Sequence, residues 1–264
     1  MIAVLPSYQK IETGKLPEVA STEGFILNVE VGVHQIAAVV EVAAFKQFLY
    51  LLEFNFSKPL QVAQLPEVCK QLLADNAVFA LAISEVNVAF NTDIDLLPNG
   101  FQQHTGTCFL QQVSEEVLAA FTVENVLQEV WKEKFPLVQI TAVYANFLKQ
   151  VLLLPKGVYV MVMHEAFAVA VLEAPGKLKL FNCFEYKTAE DFLYFLILAC
   201  NSTQVNRTET PLVFSGKIQK ESKIYDVCYR YFSNIVFLKP GNGKFFAKAF
   251  SDAAKSIYFS LFSL

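Results

Sequence analysis

The chain has 264 residues, 54% of them apolar and only 17% charged, with a formal net charge of −4. An average soluble domain carries about a quarter charged residues, so the chain either enters a membrane or builds elements covered on both faces. A spanning helix needs about 18 to 20 consecutive apolar residues, and Phe192 to Cys200 offers only nine, so no membrane span is expected. The only two arginines, Arg207 and Arg230, form no basic patch for a phosphate backbone, and no nucleic-acid partner is expected.

In chain order, MIAVLPSYQK lacks a basic leader and its apolar run stops at Pro6, which argues against a signal peptide. Five scattered cysteines without a CxxC pair fit buried thiols in a reducing cytoplasm. GFILNVEVG, QIAAVVEVAAF and KQFLYLLEFNF read as three strands, Leu65 to Ala74 as a helix and AVFALAISEV as a fourth strand. VNVAFNTDIDLLPNGF reads as strand and loop, and SEEVLAAFTVENVLQEVWKEKF as helical in parts.

The second half is plainer. Val158 to Met163 and Ala166 to Leu172 suit two strands joined by a turn at His164-Glu165, and LKLFNCFEY is a third strand. Thr188 with Asp191 three residues on forms a capping box, and the DFLYFLILAC that follows, apolar nearly all round, predicts a helix covered on most sides. PLVFSGKI is a strand, Lys220 to Phe232 an amphipathic helix and NIVFLKP a last strand. Three strands followed by helix, strand, helix, strand is the ribonuclease H-like order. Its helix-covered sheet explains strands without polar alternation. The first half repeats the opening of that order, and Phe54-Asn55 and Phe181-Asn182 end corresponding strands 127 positions apart. The expected fold class is therefore α/β with mixed sheets. Two tandem ribonuclease H-like domains are expected, residues 1–150 (less regular, with an inserted loop and helices) and 151–264.

Two such halves resemble the actin/Hsp70-type ATPase fold. FNTDIDLLPNGF, FNCFEYKTAEDFLYFL and TPLVFSGKI are similar to a bacterial family of unknown function, one member of which has that fold. The resemblance implies a phosphate-binding DxG[ST]-type turn between the first two strands of each half. The first half offers Glu30-Val31-Gly32-Val33, without the hydroxyl; the second offers Met163-His164-Glu165-Ala166, without a glycine. A glycine pair expected after the second half's fourth strand is reduced to Gly216. ATP with magnesium would therefore use Glu30, Gly32 and Gly216, and the degenerate turns argue that it is not hydrolysed.

Two-metal nuclease chemistry lacks an acid on Val158 to Met163. Gly241-Asn-Gly243-Lys244 lacks the P-loop's first glycine and its Ser/Thr. His34, His104 and His164 have no helical spacing for zinc. Asp93-x-Asp95 reads as a solvated turn. The tail KFFAKAFSDAAKSIYFSLFSL reads as an amphipathic helix of about 18 residues. It either closes its own domain or docks a protein partner or a second copy through Tyr258, Phe259 and Phe262. The leading expectation is a non-catalytic interaction protein on a degenerate actin-like scaffold, and the alternative is a nucleotide-binding protein with an atypical cleft.

Overall fold

A computed structural model describes residues 6–17, 24–97, 106–240 and 244–264. Its opening strand, Tyr8–Gly14 (β1), carries no apolar face. It holds by antiparallel main-chain pairing to the fourth strand and by Tyr8 set edge-on to Phe54 at 5.4 Å. Periodicity gives no warning of it. Phe25–Val31 (β2), Gln35–Val42 (β3) and Gln47–Phe56 (β4) form an antiparallel meander. The helix Leu65–Asp75 (α1) follows, with proline in its first turn where no N–H is needed. The expected fourth strand is displaced: AVFA at 77–80 is a 3-10 turn, and the strand is Ile83–Phe90 (β5), parallel to β2.

A small sheet is inserted next, from Asp95–Leu97 (β6), Thr107–Gln112 (β7) and Leu118–Val123 (β8). Leu118–Val123, expected as part of a helical stretch, is a strand. Its Ala119, Phe121 and Val123 join the central core, as do Leu127, Val130 and Trp131 of the helix Asn125–Lys134 (α2) that follows. Gln139–Ala142 (β9) returns to the first sheet, and Val143–Val151 (α3) lies between the two large sheets. Phe147, Leu148 and Val151 are fully buried there, each contributing about 1.5–3 kcal/mol.

Gly157–Val162 (β10), Ala166–Ala174 (β11) and Lys177–Glu185 (β12) repeat the meander. Ala189–Ser202 (α4), Leu212–Gly216 (β13), Lys223–Tyr229 (α5) and Ile235–Phe237 (β14) complete the second sheet. The capping box of Thr188 and Asp191 forms as expected. The helix it starts is less covered than expected, since Tyr194 is 63% and Leu198 47% exposed.

The sheets run β1-β4-β3-β2-β5-β9 and β12-β11-β10-β13-β14. Leaving out β1, each has the ribonuclease H-like order three-two-one-four-five, so the expected α/β class with helix-covered mixed sheets is what forms. Both faces of the first sheet are buried: Ile36, Ala38 and Val40 join the central core, while Ala37 and Val39 face the C-terminal segment. That two-sided covering accounts for the high apolar content. No helix among the described residues is long and apolar enough to cross a membrane. Pairing also corrects one correspondence. Val31 pairs Ile36 and Ile36 pairs Phe54, while Val162 pairs Phe167 and Phe167 pairs Phe184. The counterpart of Phe54 is thus Phe184, and the match to Phe181-Asn182 is accidental.

The tail departs most from expectation. Phe245–Phe246 (β15) pairs with the start of β4, Asp252–Ile257 (α6) is only six residues long, and a 3-10 turn covers Leu261–Ser263. It reaches across to the first sheet while staying tied to its own half through Lys239 and Asp252 at 2.9 Å: Phe250, Tyr258 and Phe262 bury against Ala37, Val39, Phe48 and Leu51. A continuous helix could not serve both an extended pairing at Phe246 and the turn at Tyr258. The three aromatics expected to anchor a partner, Tyr258, Phe259 and Phe262, are buried inside the chain.

Candidate functional site

The β2–β3 and β10–β11 hairpins meet at the junction of the two halves. In the first, the Gly32 N–H donates to Gln35 O at 2.9 Å; a Cβ on Gly32 would lie 3.3 Å from Asn91 Cβ. In the second, the Met163 N–H donates to Ala166 O at 2.8 Å. The two turns are closed on each other by side chains: the His34 and His164 rings stack at 4.8 Å, 18° apart, and His34 Nε2 lies 3.5 Å from Glu165 Oε2. A cavity of about 810 Å³ opens beside them, lined by Asn91, Thr92 and Asp93 from the end of β5, by Tyr144 and by Glu185 to Lys187. Among the described lining residues, Asp93, Glu165 and Glu185 set three carboxylates against the one ammonium of Lys187, an unfavourable balance for a polyphosphate.

Behind the hairpins, on the face covered by the tail, lies a polar cluster. Lys217 Nζ sits 3.0 Å from Glu53 Oε1, with side-chain exposures of 22% and 6%. The Tyr258 hydroxyl donates to the other Glu53 oxygen, and the Lys217 ammonium lies 4.6 Å from the centre of the Tyr258 ring. The Ser260 hydroxyl donates to Glu30 Oε2 at 2.7 Å. Burial pushes the Glu30 carboxyl up, only partly offset by Ser260 and Lys217. Burial would also raise Glu53, but the Lys217 charge and the bonds from Tyr258 and Lys217 outweigh it and hold that carboxyl below the ordinary range. Two strands of the first half (β2 with Glu30 and β4 with Glu53), one loop of the second and the C-terminal segment are thus tied in a single cluster.

Of the residues singled out from sequence, Glu30 lies in this cluster, Gly32 in the first hairpin turn and Gly216 at the end of β13. Gly216 has φ +84°, and a Cβ there would lie 2.2 Å from Val162 O. Its conformation lets the Lys217 N–H bond to Val162 O at 2.7 Å, which points the lysine toward Glu53. Steric need at a strand end is therefore a sufficient reason for this glycine. Glu53, Lys217 and Ser260 carry no signal in the sequence, being distant and locally ordinary, and Tyr258 stands out there as an aromatic anchor and not as a partner of Glu53. Zinc spacing for His34 and His164 was absent, and no metal-holding group of His, Cys, Asp and Glu occurs among the described residues. His104 and the Gly241-Asn-Gly243 run lie outside the described residues.

Burial pushes His164 down to about 4, with the Lys217 and His34 charges adding to it. The free imidazole titrates near 6.5, so the unfolded chain takes up the proton first. The stabilisation is complete above pH 6.5 and is lost as pH falls toward 4. Thermal melts across this window are expected to fall more steeply for the natural protein than for His164→Gln. Parallel profiles would show that the imidazole contributes nothing. Glu30, raised, acts in the opposite sense, which is why the difference between the two proteins is the quantity to read.

The family described as a protein of unknown function, DUF3822, matches residues 102–235. The chain belongs to the DUF3822 family. The match takes in β7 and β8 of the small inserted sheet, α2, α3 and most of the second sheet, including the His164 hairpin. No curated protein matches. Among solved structures, a Bacteroides thetaiotaomicron protein with an actin-like ATPase fold and unknown function aligns with TM-score 0.73 at 12% identity, covering 85% of this chain and 94% of that one. The PilM-PilN type IV pilus biogenesis complex gives TM-score 0.54 at 12% identity over 90% and 97%. The ethanolamine utilization protein EutJ from Carboxydothermus hydrogenoformans gives 0.52 at 9% identity over 95% and 90%. At such identities these likenesses speak of fold alone: this DUF3822 chain has the actin-like ATPase fold.

Proposed function

We propose that this DUF3822 protein is a non-catalytic, cytoplasmic interaction protein that uses an actin-like scaffold without hydrolysing ATP. Residues 1–150 and 151–264 serve as its two lobes. The observation that carries this reading is the closure of the two hairpins by the His34–His164 stack. In this fold the hairpins are where bare backbone and a hydroxyl would cradle phosphates. Here they present imidazoles and carboxylates instead. A neighbour of the same fold, PilM, occurs in a complex with PilN, which supports the use of such a scaffold for holding a protein partner.

Titration with ATP and magnesium decides the matter. At a hundredfold excess over Kd a ligand adds about 2.7 kcal/mol of stability, a shift that thermal melts read easily. No shift and no saturable heat in calorimetry are expected. Saturable micromolar binding would overturn the reading in favour of a nucleotide held at Glu30, Gly32 and Gly216. In that case Gly32→Phe should abolish the binding.

A further inference from the structure

A second cavity, also of about 810 Å³, lies between Asp93 to Leu96 and the Leu178 to Glu185 stretch of β12. Among the described strands, β12 is terminal in its sheet and β6 is terminal in the small sheet, so two strand edges border one groove. Alternation of main-chain bonding fixes which groups face it. The Tyr186 N–H donates to Glu165 O at 2.9 Å, turning Asn182 and Phe184 toward β11 as well. The main-chain groups of Phe181, Cys183 and Glu185 therefore face away from β11, on the groove side. Of these, the Cys183 N–H is occupied by Asn182 Oδ1 at 2.9 Å, the kind of local cap that blunts an open edge.

The groove has an apolar floor and an acidic rim. Leu178, Phe181 and Cys183 pack on the central core, and the rim carries Asp93, Asp95 and Glu185. Among the described lining residues the one cation, Lys179, pairs with Glu173 at 3.2 Å. Burial pushes the Cys183 thiol up to about 12, and the Asp93 charge adds to this, so the negative field reaches into the groove. Eight residues of strand extend about 26 Å, enough for a short segment in extended form.

We propose that this groove receives an extended, basic segment of a partner protein, which adds to the second sheet as a strand along β12 with β6 at its other side. The proposal rests on the interaction-protein reading and names the form the partner takes. An ATP titration and a peptide titration test the two separately. Failure of the peptide alone removes only the groove.

The probe is a fluorescein-labelled, end-blocked peptide of alternating valine and lysine, nine residues long to match β12, titrated by anisotropy into the full chain. Saturable binding is expected, weakened at least about tenfold when alternate peptide amides are N-methylated, because added strands bind through main-chain bonds. Phe181→Pro removes a groove-facing N–H without touching the β11 pairing and should weaken binding similarly. Asp93→Lys, which leaves the strand intact, should also weaken it. Hydrogen exchange at Phe181 and Glu185 should slow in the complex. Absence of saturation, or equal binding of the N-methylated or a glutamate-for-lysine peptide, overturns the proposal. A dimer in sedimentation with the same amides protected and no peptide present also overturns it, assigning the groove to a second copy.

Discussion

Lys217→Ala is expected to destabilise the fold by about 3–5 kcal/mol, the usual consequence of removing one partner from a buried ion pair. Glu53 keeps 6% of its side chain exposed beside Lys217, so without the ammonium its charge is left with neutral donors, the Tyr258 hydroxyl and the Asn55 side chain, in place of solvent. For a chain of this size the loss corresponds to a fall in Tm on the order of 8 °C. The double variant Glu53→Gln with Lys217→Met should recover most of it. It removes both charges together and leaves an amide oxygen for Tyr258, and neutral replacement of a buried pair is often close to free of cost. Denaturant melts of the two single variants and the double variant form the cycle. If Lys217→Ala melts within about 1 kcal/mol of the natural protein, the contact behaves as a surface pair and the cluster is no latch.

Gly216→Ala is expected to cost about 2–5 kcal/mol, combining a left-handed backbone with a Cβ that has nowhere to go. The added atom would sit 2.2 Å from Val162 O, whereas at Gly176, with φ +74°, nothing lies within 4 Å. Gly176→Ala therefore isolates the backbone contribution and should cost about 1 kcal/mol. The difference between the two in chemical denaturation measures the clash against β10. Equal effects would mean that β13 shifts freely away from β10. Hydrogen exchange at Lys217, whose N–H bonds Val162 O, should quicken in the first variant only.

What the sequence disclosed followed from local physics. The second meander and its helix were legible because a two-residue interruption at His164-Glu165 and a Thr188–Asp191 cap are local devices. The fourth strand slid because AVFA is as apolar as a strand, although it forms a 3-10 turn. Strand β1 was invisible because main-chain pairing with β4 holds it, without an apolar stripe. The spacing of the tail fits one helix, yet pairing at Phe246 and the bond from Tyr258 to Glu53 interrupt it. Glu30 is legible from its place two residues before Gly32; its partner Ser260 lies 230 positions away, beyond any local pattern. The His34–His164 stack belongs to the same class: two residues without helical spacing that only the meeting of two hairpins brings together.

The return of Phe250, Tyr258, Leu261 and Phe262 to the first sheet also orders events during synthesis. Leu51 leaves the ribosome about 210 positions before Leu261, an interval on the order of 10 to 40 s at ordinary elongation rates. Throughout it, the early sheet has one greasy side unsheltered, so nascent chains of this protein should depend on holding chaperones until translation reaches the last aromatic residues.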